Sequence, residues 1–154
     1  MKIKLITDKS EIDKVVKDDE IYKVIGSDLS PAKEDFEYDF NNNFFLAGYI
    51  DGKIIGILIY HILETGDIYS HIQVLPEYRK EYSFKFSKSV KEWLINKFTG
   101  KKMYTHIPLC FTNVISFAFK NGYKKVGMID EYTIIDKKIQ PAIYLEMKLN
   151  KEEE

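Results

Sequence analysis

The 154-residue sequence predicts an α+β protein with a layered architecture, in which helices flank a mixed central sheet of six to seven strands. Three apolar runs joined by tight turns, between Phe44 and Leu75, predict an antiparallel meander. A long amphipathic segment then leads to another short strand, which predicts a parallel crossover. We find no repeat or linker, so residues 1–154 are expected to form a single domain.

The first forty residues predict an edge strand and helices. Residues 2–7 alternate polar and apolar side chains, a pattern typical of a short strand. Residues 8–10 supply capping side chains for a first helix, and a weaker helical signal follows at residues 21–25. The polar, acidic stretch 30–43 is predicted as either a mobile flap or a short helix.

The meander is the strongest local prediction. Phe44–Ile50 and residues 53–63 are strand-like runs joined by Asp51-Gly52, and a dipeptide of this kind favours a hairpin because both positions tolerate positive φ. A second turn at residues 64–67 leads to a third strand at residues 68–75. The three strands are therefore expected to pair consecutively and antiparallel.

The second half of the chain predicts two helices and three strands. A helix from about residue 80 to Gly100 carries one apolar stripe formed by Tyr82, Phe86, Val90, Trp93, Leu94 and Phe98. Residues 102–107 form the next strand, and Thr112-Asn113 is predicted to cap a helix ending at Asn121-Gly122. Residues 123–129 and 143–149 complete the sheet, with a polar loop around residues 136–141.

Composition narrows the possible functions. The net charge is −1, with 23 basic and 24 acidic residues, which argues against a nucleic-acid-binding protein. The lone Cys110 excludes an internal disulfide and is interpreted as a small core residue. No apolar run is long enough to span a membrane, and the start of the chain does not resemble a signal peptide, so we expect a cytoplasmic protein without a membrane partner.

A strand, a basic turn and a long helix follow one another between residues 68 and 97. Arg79 and Lys80 lie at the start of the helix, where free backbone N–H groups and the positive end of the helix dipole favour a phosphate. This strand–turn–helix segment is a predicted binding site for a cosubstrate that carries a pyrophosphate.

Two segments of the sequence resemble the GNAT superfamily of N-acetyltransferases. Residues 74–79 read Val-Leu-Pro-Glu-Tyr-Arg, similar to the V-x-P-x-Y/H-R run that precedes the acetyl-CoA loop of that family. The segment from Asn113 to Gly122-Tyr123 is similar to its N…A…GF pattern. The resemblance implies a parallel strand pair splayed at the centre of the sheet and acetyl-CoA as cosubstrate, with no metal.

The sequence also departs from that family. The family's loop is rich in glycine after the arginine, whereas Tyr82 and Phe84 occupy two of those places here. Ala118 lies where many members have a tyrosine that protonates the leaving thiolate. Together with His71 and Ile107-Pro108, the glycine-poor loop resembles GNAT-like proteins encoded by bacteriophages.

The resemblance assigns the cofactor-binding residues. Backbone groups of Ile72, Gln73 and Val74 would bind the pantetheine arm as an added strand, with a backbone N–H near Val74 facing the developing oxyanion. The groups expected to bind the remainder of acetyl-CoA are the side chains of Arg79 and Lys80, the N–H groups of Tyr82, Ser83 and Phe84, Lys85 at the 3′-phosphate, and Asn113.

His71 is the predicted catalytic base, because an imidazole titrates near neutral pH; the alternative is a structural, hydrogen-bonded histidine. Glu64 and Asp67 in the meander turn are the alternative candidates for the base. Glu131 and Tyr132 are candidate substrate contacts. His61, His71 and His106 lie on separate predicted strands without carboxylates at ligand spacing, so no metal site is expected.

Two functions remain open from the sequence. The first is acyl-CoA-dependent N-acyl transfer, directly from the thioester to a small-molecule amine or a protein amino group, with the acidic residues 34–39 attracting a cationic acceptor. The second is a catalytically degenerate protein of the same fold that acts as a binding, phage assembly or host-interaction factor. A homodimer is possible in either case.

Overall fold

The computed structural model describes residues 1–151, which form one seven-stranded sheet and four α-helices. The strands are β1 Lys2–Ile6, β2 Phe44–Ile50, β3 Lys53–Ile62, β4 Ile68–Val74, β5 Lys102–Pro108, β6 Lys124–Ile135 and β7 Lys138–Lys148. The helices are α1 Lys9–Val16, α2 Asp19–Ile25, α3 Arg79–Phe98 and α4 Thr112–Lys120, with short 3₁₀ turns at Lys33–Asp35 and Pro76–Tyr78.

The strand order is β1-β2-β3-β4-β5-β7-β6, and β4 and β5 are the parallel pair. The strands from β2 to β4 form the predicted antiparallel meander, with the β2–β3 turn at Asp51 and Gly52, whose φ angles are 47° and 75°. The predicted edge strand β1 pairs antiparallel with β2. The predicted mixed α+β sheet is confirmed.

The parallel pair separates along its length. β4 and β5 pair only at Ile68 with Met103 and at Tyr69 with Tyr104, although both strands continue beyond these residues. The Leu75 N–H donates to Ile55 on β3, and backbone groups along an antiparallel strand alternate in direction. Ile72 and Val74 therefore direct their N–H and C=O groups toward β5, into the gap, whereas the Gln73 backbone faces β3.

Helix α3 covers one face of the sheet through the fully buried Phe86. The ring of Phe86 lies flat against β2 and β3, where a Cβ atom added to Gly48 or Gly56 would be 2.6 and 2.9 Å from ring carbons. Helices α1 and α2 cover the β2–β3 region of the other face, through a cluster of buried side chains that includes Ile12, Val15 and Ile57. Within residues 1–151, no helix covers β5, β7 and β6 on the face where α1 and α2 lie.

Three local predictions were wrong, and the first is Cys110, which was predicted to be a core residue but is exposed. The last two strands are longer than predicted and meet at a two-residue turn, Asp136-Lys137, with φ angles of 51° and 63°, so the predicted polar loop 136–141 is mostly strand. Register shifts in β6 near Lys125 and Ile129 interrupt the alternation of side chains that would have indicated a long strand. Thr112 is the first residue of α4, after Phe111, and does not cap it.

The acidic stretch before β2 contains only the 3₁₀ turn Lys33–Asp35. Within residues 1–151, no helix has the length and apolar character needed to cross a membrane.

Candidate active site

A cleft of about 920 Å³ passes through the sheet where β4 and β5 separate. It is open to both faces, because its walls include α3 and α4 on one side and the connection after α2 on the other. The backbone edges of Ile72 and Val74, which no neighbouring strand pairs with, form part of its wall. A ligand in this cleft can therefore contact main-chain donors and acceptors from within the sheet.

The helix side of the cleft includes several small polar residues. Ser70 and Thr105 face each other from β4 and β5 and are almost fully buried. Successive turns of α3 contribute Ser83 and Ser87, and α4 contributes Asn113. This side provides hydroxyl and amide groups among larger apolar side chains.

The opposite side is lined by aromatic and imidazole rings. His71 and Gln73 project from β4, His106 from β5 and Tyr132 from β6. The ring of His106 lies parallel to those of Tyr132 and Tyr144, with centroid distances of 5.5 and 4.4 Å. The aromatic and imidazole rings on this side therefore pack against one another.

Tyr69 joins the three histidines that the sequence placed on separate strands. Its ring centroid is 5.2 Å from that of His61, 4.9 Å from His71 and 5.1 Å from His106. Its hydroxyl oxygen is 2.7 Å from Nδ1 of His106. Burial, reinforced by Tyr132, raises the pKa of Tyr69 well above its ordinary value, so the phenol stays protonated and available for this hydrogen bond.

His71 is neutral at physiological pH. Burial lowers its pKa to about 4, and the nearby His106 and His61 add to this effect. Burial also lowers the pKa of His106. Both imidazoles can therefore accept a proton, although His71 is a weaker base than a free histidine.

Tyr123 is a further titratable group in the cleft, on the helix side. Burial raises its pKa to about 12, an effect partly offset by a hydrogen bond with Ser70. The phenol is therefore protonated throughout the neutral range and can act as a proton donor.

Arg79 lines the cleft but already has protein partners. Its Nε donates to the Val74 carbonyl at 3.0 Å, and Nη1 pairs with the Glu20 carboxylate at 3.0 Å. These contacts hold the first turn of α3 against the end of β4 and against α2. The Glu20 pair is exposed, so an incoming anion can compete for the guanidinium.

The structure places the predicted site residues in two groups. Those that line the cleft are His71, Ile72, Gln73, Val74, Arg79, Ser83 and Asn113. Those outside its lining are Lys80, Tyr82, Phe84 and Lys85. The Tyr82 ring lies 6.1 Å from that of Tyr78, and the exposed Phe84 contacts Phe117 of α4 at 5.0 Å. Neither ring fills the gap between the strands.

The sequence predictions omit several residues that line the cleft, among them His106, Ser87 and Tyr123. His106 was considered only as a metal ligand, although it follows Tyr104 at strand spacing on the same face. Ser87 lies one helical turn after Ser83, so helix periodicity would have found it. Tyr123 was part of a recognised motif but received no role. No group of three residues suited to a metal occurs among residues 1–151.

Within residues 1–151, the cleft lacks the acidic residues that were expected to attract a cationic acceptor. Its charged lining residues within the described chain are Arg79 and Lys91, and none carries a carboxylate. The acidic residues 34–39, and also Glu64, Asp67 and Glu131, lie outside the lining. Asp67 instead accepts the Lys102 N–H at 2.8 Å and stabilises the start of β5.

A family model described as "Protein of unknown function (DUF2824)" matches residues 3–154. The chain belongs to this family. No curated protein sequence matches this DUF2824 chain. Several solved structures share its fold, which is that of the GNAT acetyltransferases.

One similar structure is the spermidine N-acetyltransferase from Vibrio cholerae in complex with CoA and spermine, with a TM-score of 0.77, 12% identity and coverage of 95% of this chain and 94% of that one. Another is smu.2055 from Streptococcus mutans UA159, with a TM-score of 0.74, 14% identity and coverage of 97% and 100%. A third is the ribosomal-protein-S18-alanine N-acetyltransferase from Escherichia coli, with a TM-score of 0.69, 12% identity and coverage of 99% and 96%.

Proposed function

We propose that this DUF2824 protein is an acyl-CoA-dependent N-acyltransferase that moves an acetyl group from acetyl-CoA directly to an amine. The observation that carries this proposal is the cleft between β4 and β5, where the N–H and C=O of Ile72 and the N–H of Val74 have no partner strand, while the Val74 carbonyl accepts from Arg79. Unpaired backbone groups in the middle of a sheet are costly unless a ligand or water satisfies them. An extended amide-containing arm such as pantetheine supplies that partner.

The two sides of the cleft suit the two substrates. Acetyl-CoA enters from the helix side, between Ser83 and Ser87 of α3 and Asn113 of α4. Lys91 at this side, and Lys80 and Lys85 on the neighbouring surface, attract its phosphates. The acceptor amine enters from the aromatic side, so the nitrogen and the thioester meet within the sheet.

The transfer needs one proton acceptor and one proton donor. The amine nitrogen forms a bond to the thioester carbonyl carbon while the carbonyl carbon–sulfur bond breaks. His71 takes the proton that leaves the nitrogen, and the weak base suffices because a nitrogen bonded to the acyl carbon is far more acidic than a free amine. Tyr123 gives its proton to the departing thiolate, which leaves CoA and the N-acetyl product.

A second candidate function is a binding protein that has lost the chemistry, such as a phage assembly or host-interaction factor. The observation that favours it is the start of α3, where the 3₁₀ turn Pro76–Tyr78 continues into the helix in place of a glycine-rich loop. In addition, the Arg79 guanidinium is already bound to Val74 and Glu20.

Calorimetric titration with acetyl-CoA and with CoA distinguishes the two candidates. We expect micromolar binding, and we expect Arg79→Ala and Lys80→Ala to weaken it several-fold. Absence of binding at millimolar acetyl-CoA would reject the transferase and leave the binding protein.

A matched pair of α3 variants tests whether the cleft is the binding place. Ser87→Phe puts a ring into the cleft and should abolish binding, whereas Ser89→Phe alters a residue of the same helix outside the lining and should bind normally. Circular dichroism melting checks that both variants fold. Equal binding by the two variants would contradict the assigned site.

A further inference from the structure

We infer that the acceptor is a small monoamine, and is neither a polyamine nor the amino group of a folded protein. It enters through a portal, an opening of the cleft whose rim is bridged by hydrogen bonds. This inference rests on the proposed acyl transfer and names its substrate class. Three features carry it: a bridge across the acceptor side, the charge of the cleft, and its aromatic wall.

The bridge is made by Asp28, in the connection between α2 and β2. Its Oδ1 accepts the Asp136 N–H at 3.0 Å and its Oδ2 accepts the Lys137 N–H at 2.6 Å. Its own N–H donates to the Ile134 carbonyl at 2.9 Å. Three hydrogen bonds therefore fasten this connection to the tip of the β6–β7 hairpin.

The bridge joins two walls of the cleft. Gly26, Ser27 and Ser30 line the cleft from the bridged connection, and Tyr132 and Thr133 line it from the bridged hairpin. A groove that is open along its length can receive a polypeptide, whereas one that is spanned at its rim admits only a molecule that can pass underneath. The acceptor must therefore be slender and must enter end-on.

The charge of the cleft excludes a polycation. A second or third ammonium group would find no carboxylate partner among the described residues that line the cleft. An unpaired charge in a partly desolvated site is costly. A single amine can shed its proton on entry and avoid this penalty.

The aromatic wall favours an apolar substituent on that amine. Tyr132 and His106 present stacked rings on the acceptor side, 5.5 Å apart at their centroids. An aryl or short alkyl group gains contact area against such rings without needing a hydrogen-bond partner.

The test measures CoA thiol release from acetyl-CoA with 2-phenylethylamine, propylamine, spermidine and a lysine-containing pentapeptide as acceptors. We expect kcat/KM to be at least about tenfold higher for one of the monoamines than for spermidine or the peptide, which corresponds to about 1.4 kcal/mol of discrimination. Equal or better use of spermidine or the peptide would overturn the inference.

Asp28→Ala removes two of the three hydrogen bonds of the bridge and should raise kcat/KM for the peptide several-fold relative to the monoamines. Asp28→Asn keeps one acceptor oxygen and should have a smaller effect. Asp35→Ala, an exposed carboxylate in the same connection but outside the cleft, is the control and should leave the acceptor preference unchanged. An Asp28→Ala protein that folds and retains the original acceptor preference would contradict the claim that the bridge excludes large acceptors.

Calorimetry with acetyl-CoA on the same samples separates two kinds of failure. If acetyl-CoA does not bind, the proposed transferase itself is rejected. If acetyl-CoA binds and neither monoamine is acetylated, the substrate class is overturned while the cofactor site stands.

Discussion

The phenol oxygen of Tyr69 lies 2.7 Å from Nδ1 of His106, and this hydrogen bond joins β4 to β5 immediately beyond their last backbone pair, Tyr69 with Tyr104. A side-chain contact thus continues the connection between the strands where the backbone ladder ends. It fixes the width of the cleft at its closed end and orients the His106 ring, whose other nitrogen is directed away from Tyr69.

Tyr69→Phe should lower the free energy of unfolding by about 1 kcal/mol, because His106 Nδ1 loses its partner in a partly buried position. Urea denaturation measures the loss, and ¹⁵N chemical shifts of His106 should report a change in tautomer. Tyr104→Phe is the control, since the part of the chain that the structure describes offers no hydrogen bond to that phenol. Equal stability of both variants would contradict the role of the bond.

His71 should make stability fall as the pH is lowered. Its pKa is about 4 in the folded protein and 6.5 ordinarily, so the unfolded chain takes up the proton first. The contribution is fully present above about pH 6.5 and is lost progressively toward pH 4, amounting to about 3 kcal/mol at most. Urea denaturation at pH 7, 5.5 and 4.5 should therefore show a shallower loss for His71→Gln than for the original protein, and parallel curves would disprove the shift.

The Phe86 ring should make alanine substitutions at Gly48 and Gly56 destabilising. Gly48→Ala places a Cβ 2.6 Å from the Phe86 ring, and its next contact, Ile3, is at 3.6 Å. Gly56→Ala meets both the Phe86 ring at 2.9 Å and the Gln73 carbonyl at 2.6 Å. Each substitution alone should cost about 1–3 kcal/mol in the free energy of unfolding.

A double-mutant cycle with Phe86→Leu separates the two positions. The smaller side chain should relieve Gly48→Ala, with a favourable coupling of about 1 kcal/mol or more, because only the ring obstructs that Cβ. The coupling for Gly56→Ala should be smaller, because the backbone oxygen of Gln73 stays in place. Equal coupling in both cycles would refute this packing description.

Tyr123→Phe should reduce kcat for acetyl transfer by about 100-fold or more, with a much smaller change in acetyl-CoA affinity, because the phenol is the proposed proton donor to the thiolate. Tyr144→Phe, on the other face of the sheet, controls for loss of a phenol near the cleft. A Tyr123→Phe protein that retains its turnover would remove Tyr123 from the chemistry.

The fold could be predicted from the sequence where local signals agree with one another. Asp51-Gly52 between two apolar runs specifies a hairpin, and the stripe that includes Phe86 and Leu94 specifies a helix packed on a sheet. The C-terminal hairpin was predicted too short, because bulges near Lys125 and Ile129 break the alternation on which strand prediction depends.

The site could be predicted only in part. The β4 residues that line the cleft follow from one continuous motif, and His71 was identified from it. Tyr132 was predicted as a substrate contact, but Asp28 and His106 come from distant segments, and nothing in their local sequence indicates that they lie near the same opening. Their roles depend on strand order and on hydrogen bonds that connect residues more than a hundred positions apart.

The sequence by itself determined most of the elements and the consecutive pairing of β2, β3 and β4, because hydrophobic period and turn chemistry are local properties that a short segment carries with it. Only the tertiary structure decided that β4 and β5 part after Tyr69, that three histidines gather around one phenol, and that Asp28 spans the opening. These features arise from contacts between segments far apart in the chain, whose geometry is set by how the whole sheet twists and packs.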